Sequence, residues 1–384
     1  MAQAISNAET ARLEQAENKQ ADWKLWGPYV SERAWGTVRE DYSADGSAWD
    51  YFPFEQSHLR AYRWNEDGIA GICDRRQRIC FALSMWNGKD PIIKERLFGL
   101  SGPKGNHGED VKEYYFYLDN TPTHSYMKYL YKYPQAAFPY DDLYKQNAAR
   151  DKSQPEYELI DTGIFKDDEY FDIFIEYAKG GVDDICIKIT AFNRSAEAAP
   201  LHLLPTIWFR NRWTWNGTSQ KPSMRAVNLG YKNLSTIDLD QKDVGQYRLI
   251  CEGSSRLIFT ENESDLEKLF GVANASRFVK DGINEFIVNG DRTAVNDQMF
   301  GTKAAAHYDL MIPAFGKEEI YLRLMSVASS GDQQAKAHDG FIDQCEAVIN
   351  SRKAEADEFY ASIVPQNLSD DGKNVMRQAL SGML

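Results

Sequence analysis

Side-chain alternation of period two runs through most of this 384-residue chain. In HSYMKYLYKY (124–133), Met127, Tyr129, Tyr131 and Tyr133 alternate with Lys128, Leu130 and Lys132, as expected of a half-buried strand. YFDIFIEYA (170–178) sets Phe171, Ile173, Ile175 and Tyr177 on one face. DICIKITAFNRS (184–195) repeats the pattern with Ile185, Ile187, Ile189 and Ala191. RICFALSMW (78–86) and EYYFYLD (113–119) read as further strands. YRLICEG and SRLIFTE (247–260) read as a tight hairpin about Gly253-Ser254-Ser255, and AHYDLMIPAFGKEEIYLRLMSV (306–327) as another turning at Pro313 to Lys317. Strand follows strand with no helix of crossover length between them. The predicted fold is therefore mainly β, a large antiparallel β-sandwich, with a closed barrel as the alternative.

Both ends differ from this middle. Residues 6–20 predict a short polar helix with Ser6 as N-cap and Glu9 closing a capping box. Near residue 332 the period switches: Phe341, Cys345, Val348, Ile349, Arg352, Ala356, Phe359, Tyr360 and Ile363 recur at helical spacing until Pro365. Ser369 then caps a second helix whose apolar residues include Met376, Leu380, Met383 and Leu384. That apolar stripe is still running at Leu384, so a continuation of the helical region is expected. The expected divisions are a helical segment over 1–26, the sandwich over 27–330 and a helical linker over 331–384.

The net charge of -13 argues against a nucleic-acid partner, which needs a basic face to replace phosphate counterions. The first residues lack a cationic start followed by an apolar core, so no secretory signal is read. No stretch approaches eighteen apolar residues, so no ordinary membrane span is expected. Five scattered cysteines suit reduced thiols in a cytoplasmic protein better than a disulfide framework.

Several motifs carry chemistry only weakly. Asp161-Thr162-Gly163 matches the aspartic-protease triplet, but that chemistry needs two carboxylates and no second copy occurs; a turn is the better reading. GLSGPKGNHGED (99–110) lacks both phosphate-loop patterns and reads as a flexible loop, from which His107 and Glu109 could reach a ligand. The six histidines show no metal-binding spacing, so neither a metal nor a cofactor is expected. Glu40-Asp41 and Glu66-Asp67 could serve acid–base work, yet adjacent carboxylates are commonplace among 57 Asp and Glu.

Two stretches rise above that background. WGTVREDYSADGSAWDYFPFEQSHLRAYRW (35–64) and IWFRNRWTWNG (207–217) mix Trp and Tyr with Asp, Glu, Asn and Arg. A sugar is bound by an apolar platform with a few placed polar groups at its rim, which is this composition. The same residues could equally close the ends of a sandwich or form an interface.

ERAWGTVREDYSADGSAWDYFPFEQSHLRAYRWNEDG (32–68), FALSMWNGKDPIIKERLFGL (81–100) and GNHGEDVKEYYFYLDNTPTHSYMKYLYKYPQAAFPY (105–140) resemble the N-terminal part of bacterial proteins grouped with glycoside hydrolase family 63, the mannosyl-oligosaccharide glucosidases. ELIDTGIF (158–165), LHLLPTIWFRNRWTW (201–215) and GTKAAAHY (301–308) extend the resemblance. It implies a β-sandwich, a helical linker and then an (α/α)6 barrel carrying the acid and base of an inverting hydrolysis of α-glucosidic, or related α-mannosidic, bonds. That barrel is not among these residues, so no catalytic residue is expected in this chain. The implied partners are an oligosaccharide and the barrel of the same polypeptide. Expected substrate contacts are Trp35, Arg39, Glu40, Asp41, Trp49, Asp50, Tyr51, Arg60, Tyr62 and Trp64, with His107 and Glu109. A free-standing carbohydrate-binding or assembly module is the alternative.

Overall fold

The computed structural model describes residues 7–29, 52–61, 68–100, 110–216, 220–253, 256–328 and 340–384. Among these, two large antiparallel sheets face each other. The first runs in the order β1 (Trp26–Pro28), β2 (Ile69–Asp74), β3 (Ile79–Trp86), β10 (Ala199–Phe209), β16 (Lys303–Ile312) and β14 (Arg256–Thr260). The second runs β15 (Phe300–Gly301), β11 (Ser223–Ala226), β12 (Leu234–Gln241), β13 (Gly245–Glu252), β17 (Lys317–Ser326), β9 (Asp184–Asn193), β8 (Tyr170–Gly181), β7 (Tyr126–Pro134) and β6 (Tyr115–Asn120). A small pair, β4 (Gly99–Leu100) and β5 (Asp110–Val111), lies apart from both. The chain is thus a β-sandwich, as its periodicity predicts.

The alternation read from the sequence sets the core. Met127, Tyr129, Tyr131, Tyr133, Phe171, Ile173, Ile175, Tyr177, Ile185, Ile187 and Ile189 are all buried between the sheets, against Phe81, Leu83 and Ile207 of the facing sheet. Each such side chain contributes about 1.5–3 kcal/mol by leaving water. Much of the 13% aromatic content is therefore core rather than sugar surface. Buried phenols need partners, and they have them: Tyr177 donates to Ala70 O at 2.5 Å, Tyr133 to Asp90 Oδ2 at 2.6 Å and Tyr131 to Glu113 Oε2 at 2.5 Å.

Both expected hairpins are overturned. β13 belongs to the nine-stranded sheet and β14 to the six-stranded one, and β16 and β17 are divided likewise. The turns at Gly253 (φ 80°) and at Phe315 (φ 53°) carry the chain across the core instead of along one sheet. A turn between alternating strands looks the same locally in either case. What differs is the hydrogen-bond partner, which comes from distant sequence.

Helix α1 (Ala8–Glu17) is capped by Asn7, whose Oδ1 accepts from Thr10 N at 2.9 Å; the expected cap Ser6 lies outside the described residues. Glu9 closes no capping box. It is fully buried, accepting from Thr123 N, Thr123 Oγ1 and Ser125 Oγ at 2.6–2.7 Å, and pairs with Arg12 at 3.2 Å. Helix α2 (Tyr140–Ala148) follows β7. Helix α3 (Phe341–Ile363) covers the outer face of the nine-stranded sheet, packing Phe341, Cys345, Ile349 and Ala356 against Tyr126, Ala178, Cys186 and Tyr321. Lys188–Glu346 at 2.5 Å and Arg352 Nε donating to Lys179 O at 2.7 Å fix its register. Helix α4 (Asp370–Ser381), capped by Ser369 as expected, packs on β6 through Arg377–Asp119 at 2.5 Å. All five cysteines are buried free thiols. Among the described residues no helix is long and apolar enough to cross a membrane.

Candidate functional site

Of the expected sugar contacts, only Arg60 is described. Trp35, Arg39, Glu40, Asp41, Trp49, Asp50, Tyr51, Tyr62, Trp64, His107 and Glu109 lie outside the described residues. Arg60 does not project freely. Its guanidinium lies over Phe52 at 5.4 Å and Phe270 at 5.6 Å, and its Nε donates to Gln56 Oε1 at 2.7 Å.

The segment carrying Arg60 is held by a charge cluster that local sequence reasoning missed. Lys94, Glu95 and Arg96 are consecutive and only 0%, 3% and 0% exposed. Their side chains reach different partners. Lys94 Nζ donates to Glu113 Oε1 at 2.8 Å and Tyr140 Oη at 2.7 Å, within an aromatic cage of Phe54, Phe138 and Tyr140 at 4.3–4.8 Å. Arg96 donates to Phe52 O at 2.7 Å and lies over the Phe52 ring at 4.3 Å. Glu95 bridges two ammoniums, Lys303 at 2.8 Å and Lys280 at 3.2 Å. Lys280 in turn donates to Ser57 O at 2.6 Å and Arg60 O at 2.7 Å. Burial by itself would raise the Glu95 pKa, but the two ammoniums outweigh it and bring it down to about 2. Nearby His58 is pushed down to about 4, first by burial, so its imidazole is neutral at pH 7.

Gly68 shows how closely this region is built. It adopts φ +97°, a Cβ there would come within 2.3 Å of the Ala82 Cβ, and its N–H donates to Glu95 O at 2.6 Å. Only glycine meets both conditions.

Beside this cluster lies a cleft of about 550 Å³. Ala61, Leu266 and Val279 form its apolar side; Asn211, Thr214 and Glu263 form its polar side. Ala61 comes from the first aromatic-rich stretch, and Asn211 and Thr214 from the second, so the fold brings the two together. Ala61 N donates to Ser264 Oγ at 2.9 Å, which fixes that edge. Glu263 Oε1 accepts from Trp213 Nε1 at 2.7 Å and from Lys221 Nζ at 2.8 Å. Lys221 also reaches Glu261 at 3.1 Å, and Glu261 accepts from Thr302 Oγ1 at 2.6 Å. One lysine thus serves both carboxylates, an arrangement that orients acceptors rather than one that sets an acid against a base. An anionic acceptor held by an indole, beside an apolar wall, matches what a sugar hydroxyl and ring face need.

The other motifs resolve simply. Asp161 Oδ2 accepts from Glu158 N at 2.8 Å inside a 3-10 turn ending at Gly163 (φ 75°), so the Asp-Thr-Gly triplet is a turn. His202 and His307 meet across β10 and β16 with Nδ1···Nε2 at 2.8 Å; burial and its neighbour push His307 down to about 4. Among the described residues no group of three or more His, Cys, Asp or Glu could hold a metal ion.

Lys94, Glu95 and Arg96 left one trace in the sequence: three charges framed by apolar residues in PIIKERLFGL. Lys280, Lys303 and Glu263 left none, since a single charge in a short local stretch does not show that it will be buried.

No protein-family model matches the chain. An uncharacterized protein of Saccharomyces cerevisiae is 40% identical over 414 aligned residues, covering 99% of this chain and 38% of that protein. The chain therefore spans about two fifths of that relative's length. Among solved structures, a polysaccharide lyase matches with 10% identity over 65% of this chain and 25% of its own, at a TM-score of 0.28. A putative aldose 1-epimerase from Escherichia coli K12 matches with 8% identity over 54% and 67%, at 0.27. A putative kojibiose phosphorylase from human microbiome matches with 9% identity over 55% and 21%, at 0.22. At TM-scores of 0.28 and below, these likenesses bear on neither fold nor function.

Proposed function

We propose that this chain is the non-catalytic β-sandwich portion of a protein that processes oligosaccharides at α-glucosidic, or related α-mannosidic, linkages. The observation that carries this reading is the cleft in which Ala61 of one aromatic-rich stretch meets Asn211 and Thr214 of the other, with Glu263 held by Trp213. The resemblance of residues 32–308 to the family-63 glycosidases supports it. On this reading the sandwich and its helical linker pack on an (α/α)6 barrel, lend loops to the substrate cleft, and leave bond cleavage to the barrel.

Titration with malto- and manno-oligosaccharides should change the Trp fluorescence of the chain. Glu263→Gln should weaken binding about tenfold, on the order of 1.4 kcal/mol, because an ionised acceptor becomes a neutral one. Silence toward every sugar tried would count against the reading. Purified chain should not turn over a chromogenic α-glucoside; turnover abolished by substituting one of its own carboxylates would refute the non-catalytic assignment.

A further inference from the structure

A second pocket, of about 330 Å³, is lined by the same Trp213 whose indole N–H donates to Glu263. It forms where turns of both sheets meet: Arg78 at the start of β3, Arg210 and Arg212 beyond the end of β10, and Lys242 and Asp243 in the β12–β13 turn. Four cations thus face one carboxylate, in a protein whose net charge is -13. Arg78 is 3.2 Å from Asp243. Arg210 N donates to Arg78 O at 3.2 Å just past the last strand pair, Phe209 opposite Ile79, so two guanidinium-bearing residues are cross-strand neighbours. Like charges so placed repel, which Asp243 beside Arg78 and Gln77 Oε1, accepting from Arg210 at 3.3 Å, relieve only in part. Arg212 is half-buried and, among the described residues, has no hydrogen-bond or ion-pair partner. The indole of Trp213 supplies the apolar wall.

We infer that this pocket binds the anionic group, phosphate or carboxylate, of an acidic sugar. Guanidinium forks match the planar carboxylate and the phosphate face through paired N–H donors, and a ring carried on that group would lie against Trp213. The volume suits a ligand of monosaccharide size. Because Trp213 also holds Glu263, an acidic residue of a longer glycan could sit here while a neutral neighbour occupies the cleft. The inference stands on the pocket's own charges and does not depend on the oligosaccharide reading of the cleft.

Calorimetric titration of the full chain with glucose 6-phosphate, glucuronate, inorganic phosphate and glucose tests it. At least one of the two acidic sugars should bind ten times more tightly than glucose and than inorganic phosphate, with affinity falling as salt rises. Arg212→Ala should weaken that acidic sugar at least tenfold with the melting temperature unchanged, and Lys242→Ala should weaken it less. Acidic sugars no tighter than glucose, inorganic phosphate as tight as the acidic sugars, or an unaffected Arg212→Ala variant would each overturn the proposal. Failure of neutral malto-oligosaccharides to bind would sink the reading of the cleft and leave this one standing.

Discussion

Glu95→Ala is expected to destabilise the fold by about 3–5 kcal/mol, because it removes the buried carboxylate that two buried ammoniums, Lys280 and Lys303, share. The loss should appear as a lower urea midpoint with little change in slope, since the same core still unfolds. Acid should reveal the same group. The folded pKa of Glu95 lies near 2, below its ordinary value of 4.5, so its contribution is complete above the ordinary carboxylate range. It is lost as pH falls from 4.5 toward 2. The stability difference between the protein and a Glu95→Gln variant should therefore shrink across that interval. A constant difference down to low pH would show that Glu95 is not an ionised bridge. The variant should also loosen the segment from Phe52 to Ala61, whose carbonyls at Ser57 and Arg60 are held by Lys280. Faster amide exchange there is the expected local signal.

Lys94→Met should cost a similar amount, about 3–5 kcal/mol, and for the mirror-image reason: it takes the ammonium away from the fully buried Glu113 side chain. Its aromatic cage can accept an apolar side chain of similar length, so the penalty comes from the stranded carboxylate rather than from lost packing. Glu113→Gln separates these effects. A glutamine keeps one acceptor oxygen for Phe98 N, now 2.6 Å from Oε1, and its NH2 can donate to the Tyr131 hydroxyl, which now donates to Oε2 at 2.5 Å. The double variant Lys94→Met with Glu113→Gln should accordingly recover at least about 1.5 kcal/mol relative to Lys94→Met alone, read as coupling in a double-mutant cycle. Additive losses would show that packing of the lysine stem against Phe54 and Phe138 is what matters.

The two charge centres explain which parts of the site were legible. The alternation at 124–133, 170–178 and 184–195 named its buried residues correctly, because strand geometry alone decides which way each side chain points. The helical stripe from Phe341 and the Ser369 cap were equally local and equally readable. The cap at Asn7 and the burial of Glu9 were not, because Glu9 takes its partners from Thr123 and Ser125, more than a hundred positions away. At the candidate cleft, composition pointed to both aromatic-rich stretches but could not separate sugar platform from core. Trp208 shows the ambiguity: it belongs to the same stretch as Trp213, yet it is buried against Tyr29 in a T-shaped contact at 5.6 Å.

The sequence by itself determined the class of fold and the inward-facing residues of each strand, since both follow from the period of a local backbone conformation. Tertiary structure alone decided which sheet each strand joined, and so turned two expected hairpins into crossings between sheets. It alone also decided that Glu95 meets Lys303 across 208 residues, and that Trp213 both holds Glu263 of the cleft and lines a basic pocket. A strand's period says where a side chain points. Register, loop closure and the positions of distant counter-charges say what it meets there, and none of these is written within one turn or one strand.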